Sequence, residues 1–180
     1  TPRLEPIYSR SLYECKVISE KEMRDNTKNP DDYDYQSPIG SILQYRFTKK
    51  GDYGGNAKLL KVNNKHVKEL RQRYYNKKPL IGISWQGGGR GQRIKDKSID
   101  INDLAKKLLE INARFISLQY GEDDEIVKRV VKKTGIDLID DPEIQAMKNM
   151  ETWVNQVATC DAIISIANTT IHAAGGLGIP

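Results

Sequence analysis

From Pro79 onward, short apolar runs alternate with segments of helical period, and that alternation leaves few folds open. LIGIS (80–84) is an apolar run bounded by Pro79 and by glycines, as a strand buried on both faces requires. Asp100, with Asp103 three residues on, opens a helix through IDINDLAKKLLEIN, whose Leu104, Leu108, Leu109 and Ile111 fall on one side. RFISLQ follows as a second strand. EDDEIVKRVVKK then places acids in its first turn and bases in its last, which suits the helix dipole, and Gly135 stands where a C-cap glycine belongs. IDLI is the third strand, METWVNQVATC a helix, DAIISIA the fourth strand, and Thr169 to Gly176 a short helix ended by Gly178 and Pro180. Strands alternating with helices join by right-handed crossovers into a parallel sheet. The expected architecture is α/β: a Rossmann-like parallel sheet with helices on both faces.

Upstream of Pro79 the pattern is weaker. Residues 1–23 offer a Ser/Arg-rich amphipathic stretch and a short strand candidate, CKVIS (15–19). From Arg24 to Gly55 the chain is polar and turn-rich, with Asn29-Pro30, Ser37-Pro38 and Gly54-Gly55, and is expected to be a long loop or an excursion between lobes. Residues 1–78 carry 17 Lys/Arg against 10 Asp/Glu, whereas residues 79–180 carry 12 against 14. The basicity concentrates between Lys49 and Lys78, where Leu59, Leu60, Val62, Val67 and Leu70 are interleaved at spacings that fit an amphipathic helix over Asn64–Tyr75. A solvated linker helix explains that stripe; contact with nucleic acid is the lesser reading. The expected division is therefore 1–55, 56–78 as a basic linker helix, and 79–180 as the sheet-bearing lobe.

No apolar run approaches the ~20 residues of a membrane helix. Cys15 and Cys160 lie far apart in no metal-ligand spacing, so neither a disulfide framework nor a zinc module fits, and a reducing compartment is expected. No internal repeat is visible. The chain begins at Thr1 and stops at Pro180 before any strand that should follow its last helix, so an excerpt of a longer protein is expected.

In a parallel sheet, ligands sit outside the carboxyl ends of the strands, which directs attention to the loops after LIGIS, RFISLQ and DAIISIA. The first, SWQGGGRGQRIKDKS, has four glycines between Gly87 and Gly91, followed by Arg93, Lys95 and Lys97. Glycines let backbone amides approach a ligand, and the cations can neutralise a diphosphate. Neither G-x-G-x-x-G nor G-x-x-x-x-G-K-[ST] is present, which disfavours a nicotinamide dehydrogenase and a P-loop NTPase. A plain surface loop is the competing reading. In the third loop Asn168, Thr169 and Thr170 precede a helix, where free N–H groups and the dipole attract an anion, although Thr before a helix is also an ordinary cap. His172 follows in the first turn, a position shared by packed or capping histidines and by catalytic ones. Gln119-Tyr120-Gly121, ending the second strand, presents an amide and a ring edge to a nucleobase or ribose, or simply turns the chain. Trp85 and Trp153 read as packing residues, and Glu122–Glu125 and Asp140–Asp141 as solvated charges.

Taken together, PLIGISWQGGG, Lys97-Ser98-Ile99, SLQYG, the strand Asp161–Ser165 and NTTIHAAGGLGIP resemble the C-terminal lobe of a GT-B glycosyltransferase. The similarity is to bacterial tetratricopeptide-fused proteins related to the lipopolysaccharide heptosyltransferases, and more distantly to O-GlcNAc transferase. Pro2-Arg3-Leu4, Arg10-Ser11 and the stretch from Asp34 to Ser41 resemble the end of that family's N-terminal lobe. The resemblance implies that the lobe holds a nucleoside diphosphate sugar, with Thr169-Thr170 at the diphosphate and His172 in the place of a family histidine. The family's Asp-Ser/Thr-Gly-x-x-His is here Ala167-Asn168-Thr169-Thr170-Ile171-His172, and Lys97 stands where relatives carry Arg. The expected donor-binding set is Ser84, Gln86, Lys95, Lys97, Gln119, Tyr120, Asn168, Thr169, Thr170 and His172. The implied chemistry is inverting sugar transfer to an acceptor hydroxyl on a sugar, lipid-linked or protein acceptor, with no cofactor and no metal. Nucleic acid is not expected as a partner, and the location implied is cytoplasmic. No catalytic base is assigned, and this chain alone is expected to transfer little or no sugar. The alternative is a degenerate, non-catalytic scaffold module of a tetratricopeptide protein.

Overall fold

A computed structural model describes residues 2–25, 33–46, 48–49, 58–88, 92–121 and 124–180. After a 3-10 turn at Pro2–Leu4, the chain forms α1 (Glu5–Ser11), α2 (Glu20–Asp25), α3 (Ile39–Arg46) and α4 (Asn64–Tyr74). Then follow β1 (Leu80–Ser84), α5 (Gln92–Asp96), α6 (Ile101–Leu108), β2 (Arg114–Ser117), α7 (Asp124–Thr134), β3 (Leu138–Ile139), α8 (Met150–Val157), β4 (Ala162–Ser165) and α9 (Thr169–Leu177). The four strands pair in parallel in the order β3-β2-β1-β4.

Strand alternation divides the apolar side chains between two faces. Ile81, Ile83 and Trp85, with Phe115, Leu138 and Ile164, meet α6 and α7 through Ile101, Ala105, Leu108, Val127 and Val130. Leu80, Ile116, Leu118 and Ile163 meet the other layer: Ile7 of α1, Leu70 and Tyr74 of α4, Trp153, Val154 and Val157 of α8, and Ala173 and Leu177 of α9. Helices thus cover both faces. Gly82 permits the close approach on the second face, since a Cβ there would fall 2.4 Å from Leu118 Cδ1 and 2.7 Å from Ile163 Cδ1.

Polar side chains start four of the helices, at Asp100 and Asn168 as the sequence suggested and at Asn63 and Asn149 besides. Asn63, Asp100, Asn149 and Asn168 each accept from backbone N–H groups of the turn that follows. Gly135 (φ 75°) and Gly178 (φ 69°) adopt the left-handed conformation at the ends of α7 and α9. Trp85 and Trp153 are buried, as expected of packing residues.

Three expectations require correction. CKVIS is not a strand: no described strand lies beside Cys15–Ser19, and a single extended segment has nothing to pair with. The interval from Arg24 to Gly55 is not simply loop, because Ile39–Arg46 is helical, with Pro38 immediately before it as a helix start favours; residues 26–32, 47 and 50–57 lie outside the described residues. The Asp140–Asp141 pair is not fully solvated: Asp141 is buried, and Asp140 is half-buried.

The basic helix α4 explains the charge division from within the fold. Arg71 Nη2 reaches both carboxylate oxygens of Asp161 at 2.8 Å, and Arg73 Nη1 reaches Asp141 at 2.9 Å and Glu143 at 2.7 Å. Arg71 and Arg73 of the first part therefore meet acids of the second. Asp141 also accepts the Tyr74 hydroxyl at 2.5 Å, and Gln156 Nε2 donates to that hydroxyl at 3.3 Å. Burial and the Asp141 carboxylate push the Tyr74 phenol well above its ordinary value, so it remains a donor. Tyr74→Phe is expected to cost about 1 kcal/mol, because Asp141 loses a buried donor and Gln156 an acceptor. Urea unfolding measures it; an unchanged midpoint would contradict the network.

Candidate functional site

The carboxyl ends of β1, β2 and β4 converge on one polar network. Ser84, the last residue of β1, donates from Oγ to Gln119 Oε1 at 3.1 Å and accepts from Asn168 Nδ2 at 2.7 Å. Asn168 Oδ1 in turn accepts from Thr170 N at 2.9 Å and from Ser165 Oγ at 3.1 Å, tying the end of β4 to the first turn of α9. A cavity of about 290 Å³ opens above this network. It is lined by Gln86, Gly87, Gly88, Ile94, Gln119, Tyr120, Asn168 and Thr169.

Five of the ten expected residues, Gln86, Gln119, Tyr120, Asn168 and Thr169, thus share one cavity, and Ser84 is buried directly behind it. The other four do not line it, although Thr170 N belongs to the network behind it. Thr170 is buried, whereas Lys95, Lys97 and His172 are exposed and line neither this cavity nor the one described next. Lys97 nevertheless abuts the glycine loop: a Cβ on Gly87 would fall 2.8 Å from Lys97 Cβ and 3.1 Å from its carbonyl oxygen. Gly89, Arg90 and Gly91 and the side chain of Arg93 lie outside the described residues. Tyr120 packs edge-on against Trp153, ring centroids 5.0 Å apart, and burial raises its phenol pKa, opposed in part by a hydrogen bond with Thr169.

A second, larger cavity of about 660 Å³ was not anticipated. Its walls come from Ser117 at the end of β2, Gln119 and Gly121 after it, Asp124 and Glu125 at the start of α7, Asp140, Asp141 and Pro142 after β3, the segment 144–148, and Trp153 and Gln156 of α8. Gln119 lines both cavities. Burial, the neighbouring Asp124 and a hydrogen bond with it push the Asp140 carboxyl up to about 6, opposed by a hydrogen bond from Ser117. The signal for this cavity in the sequence was positional: two acids directly after a strand of a parallel sheet stand at a ligand-binding end. Among the described residues no group of three His, Cys, Asp or Glu side chains is arranged to hold a metal ion. No described helix is long and apolar enough to cross a membrane.

Two solved structures share this fold. E. coli ADP-heptose lps heptosyltransferase II is 17% identical with a TM-score of 0.51, over 67% of this chain and 37% of that one. The glycosyl transferase family 9 structure from Veillonella parvula DSM 2008 is 12% identical with a TM-score of 0.55, over 78% of this chain and 40% of that one. No family model matches the sequence, and no curated protein does. The chain therefore has the Rossmann-like fold found in glycosyltransferase structures, and it spans about two fifths of their length.

Proposed function

We propose that this chain is the donor-binding part of an inverting glycosyltransferase, which moves a sugar from a nucleoside diphosphate sugar to an acceptor hydroxyl. The observation that carries this reading is the smaller cavity, where the glycine-bearing turn after β1 faces the N-terminal turn of α9. Backbone N–H groups and the helix dipole favour an anion there. The Thr169 hydroxyl adds a donor at the rim, and Lys95 and Lys97 supply positive charge on the adjoining segment. The nucleoside then extends past Gln119 into the larger cavity.

In the transfer, the acceptor oxygen bonds to the anomeric carbon as the bond to the diphosphate oxygen breaks. Negative charge accumulates on the departing diphosphate, and groups already aimed at it lower the barrier without a metal. No residue of this chain is assigned as the base that takes the acceptor proton. The likeness to glycosyltransferase structures supports a transferase in general; the donor and the inverting course belong to this proposal.

Titration of the chain with UDP, GDP and ADP tests the reading. One of them at about 100 times its dissociation constant is expected to stabilise the fold by about 2.7 kcal/mol. Gly87→Ala should weaken that binding about tenfold, because the new methyl group forces the turn and Lys97 apart in a close-packed contact. No stabilisation by any of the three at millimolar concentration overturns the donor site and favours the scaffold reading.

A further inference from the structure

The side chain of Gln119 is engaged chiefly with the protein's own backbone. Its Oε1 accepts from Ser84 Oγ at 3.1 Å, Trp85 N at 3.1 Å and Gln86 N at 2.9 Å, while its Nε2 donates to Gln86 O at 3.2 Å. One amide thus holds both polar groups of the Gln86 backbone, as a neighbouring strand would. The register explains the need. The β1–β2 ladder ends at Ile83 and Ser117, with a last bond from Leu118 N to Ile83 O at 2.9 Å. Beyond it the chain turns away at Gly121, whose φ is 123°. Gln119 continues the pairing by side chain where the backbone no longer can. From the opposite side Asn168 Nδ2 reaches Gln86 O at 3.5 Å, so the peptide before Gly87 is gripped by the ends of β2 and β4 together.

We propose that Gln119 is a positioning residue: its amide fixes the Trp85–Gln86 turn so that Gly88, next to a Gly87 whose own N–H is given to Ser98 Oγ at 3.2 Å, presents its backbone to a diphosphate at the N-terminus of α9. This inference rests on the donor-site reading and deepens it. It differs from the expectation that Gln119 presents its amide to a nucleobase or ribose, because the residue acts through the turn it holds. It also explains the choice of glutamine. Leucine fills similar space but offers nothing to two N–H groups and a carbonyl. A glutamate carboxylate accepts from the N–H groups yet faces the Gln86 carbonyl without a donor; protonated, it regains one.

The test uses the chain with Gln119→Leu and Gln119→Glu, and inorganic pyrophosphate as probe. In the unliganded chain, the amides of Trp85 and Gln86 are expected to be protected from hydrogen exchange, and to lose protection at least tenfold in Gln119→Leu while central β1 amides keep theirs. Pyrophosphate affinity should fall about tenfold in both variants at about pH 7.5. The deficit of Gln119→Glu relative to the unaltered chain should narrow toward about pH 5, as its carboxyl protonates, and that of Gln119→Leu should not. A merely structural role gives no such rescue. Equal pyrophosphate affinity in the unaltered chain and Gln119→Leu, or unchanged protection of both amides, overturns the inference. If the unaltered chain binds neither pyrophosphate nor any nucleoside diphosphate, the donor-site reading fails, and exchange at Trp85 and Gln86 still decides whether the clamp exists.

Discussion

Trp153→Ala is expected to destabilise the chain by about 3–5 kcal/mol, lowering the thermal midpoint by about 6–20 °C. The indole is 2% exposed and packs with Leu118, Met150 and Val157 in the layer that joins α8 to the sheet. Its Nε1–H donates to Leu118 O at 3.3 Å, so truncation removes both a large apolar volume and the partner of a buried carbonyl. The loss reaches the site as well. Tyr120 keeps its edge-on contact only while Trp153 is present, and Tyr120 lines the smaller cavity while Trp153 lines the larger. Trp153→Phe restores most of the apolar contact but not the N–H bond, and should cost about 1–2 kcal/mol. Calorimetric unfolding of the two variants separates these contributions. A cost below about 1 kcal/mol for alanine would contradict the burial of this residue.

The architecture was legible where local pattern and global fold agree. LIGIS and DAIISIA are apolar because both faces of β1 and β4 meet other side chains, and Asp100 and Asn168 cap helices because short polar side chains satisfy free N–H groups before any tertiary contact forms. CKVIS misled for the opposite reason. Its composition suits a strand, but strand formation depends on a neighbour, and nothing in the residues says where a neighbour is. The carboxyl-end rule led to the loops that frame the smaller cavity, since topology alone sets which strand ends lie together. The larger cavity escaped notice because solvation is not a local property. Asp141 is buried by Tyr74, 67 residues away, and Asp140 faces Ser117 and Asp124 across the β2–α7–β3 crossover. Gln119 shows the same limit: a glutamine at a strand end suggests a ligand contact, and only the distances to Trp85 and Gln86 reveal that its amide is occupied by backbone.

Asp140→Asn should stabilise the chain at neutral pH and leave it unchanged in acid. The carboxyl of Asp140 titrates near 6 in the fold against 3.8 for the ordinary group, because burial and Asp124 both penalise its charge. Below about pH 4 the carboxyl is protonated whether the chain is folded or not, so its ionisation costs nothing. Between about pH 4 and about pH 6 the unfolded chain releases the proton and the folded chain holds it, so folding stability declines as pH rises and reaches its full deficit above about 6. A shift of this size corresponds to about 3 kcal/mol for a fully shielded group, and partial solvent access at the cavity mouth reduces it to about 1–2 kcal/mol. Asparagine keeps the shape and accepts the Ser117 hydroxyl without carrying charge, so the variant lacks the deficit. Unfolding free energies of both proteins from about pH 3.5 to about pH 8 should coincide at the acid end and diverge through the window where Asp140 ionises. A difference that is constant with pH would assign the effect to packing and remove the charged pair as its cause. Convergence in acid, by contrast, would mean that ionised Asp140 is held against the preference of the fold, beside Asp124 in a cavity whose remaining acids gain nothing from it.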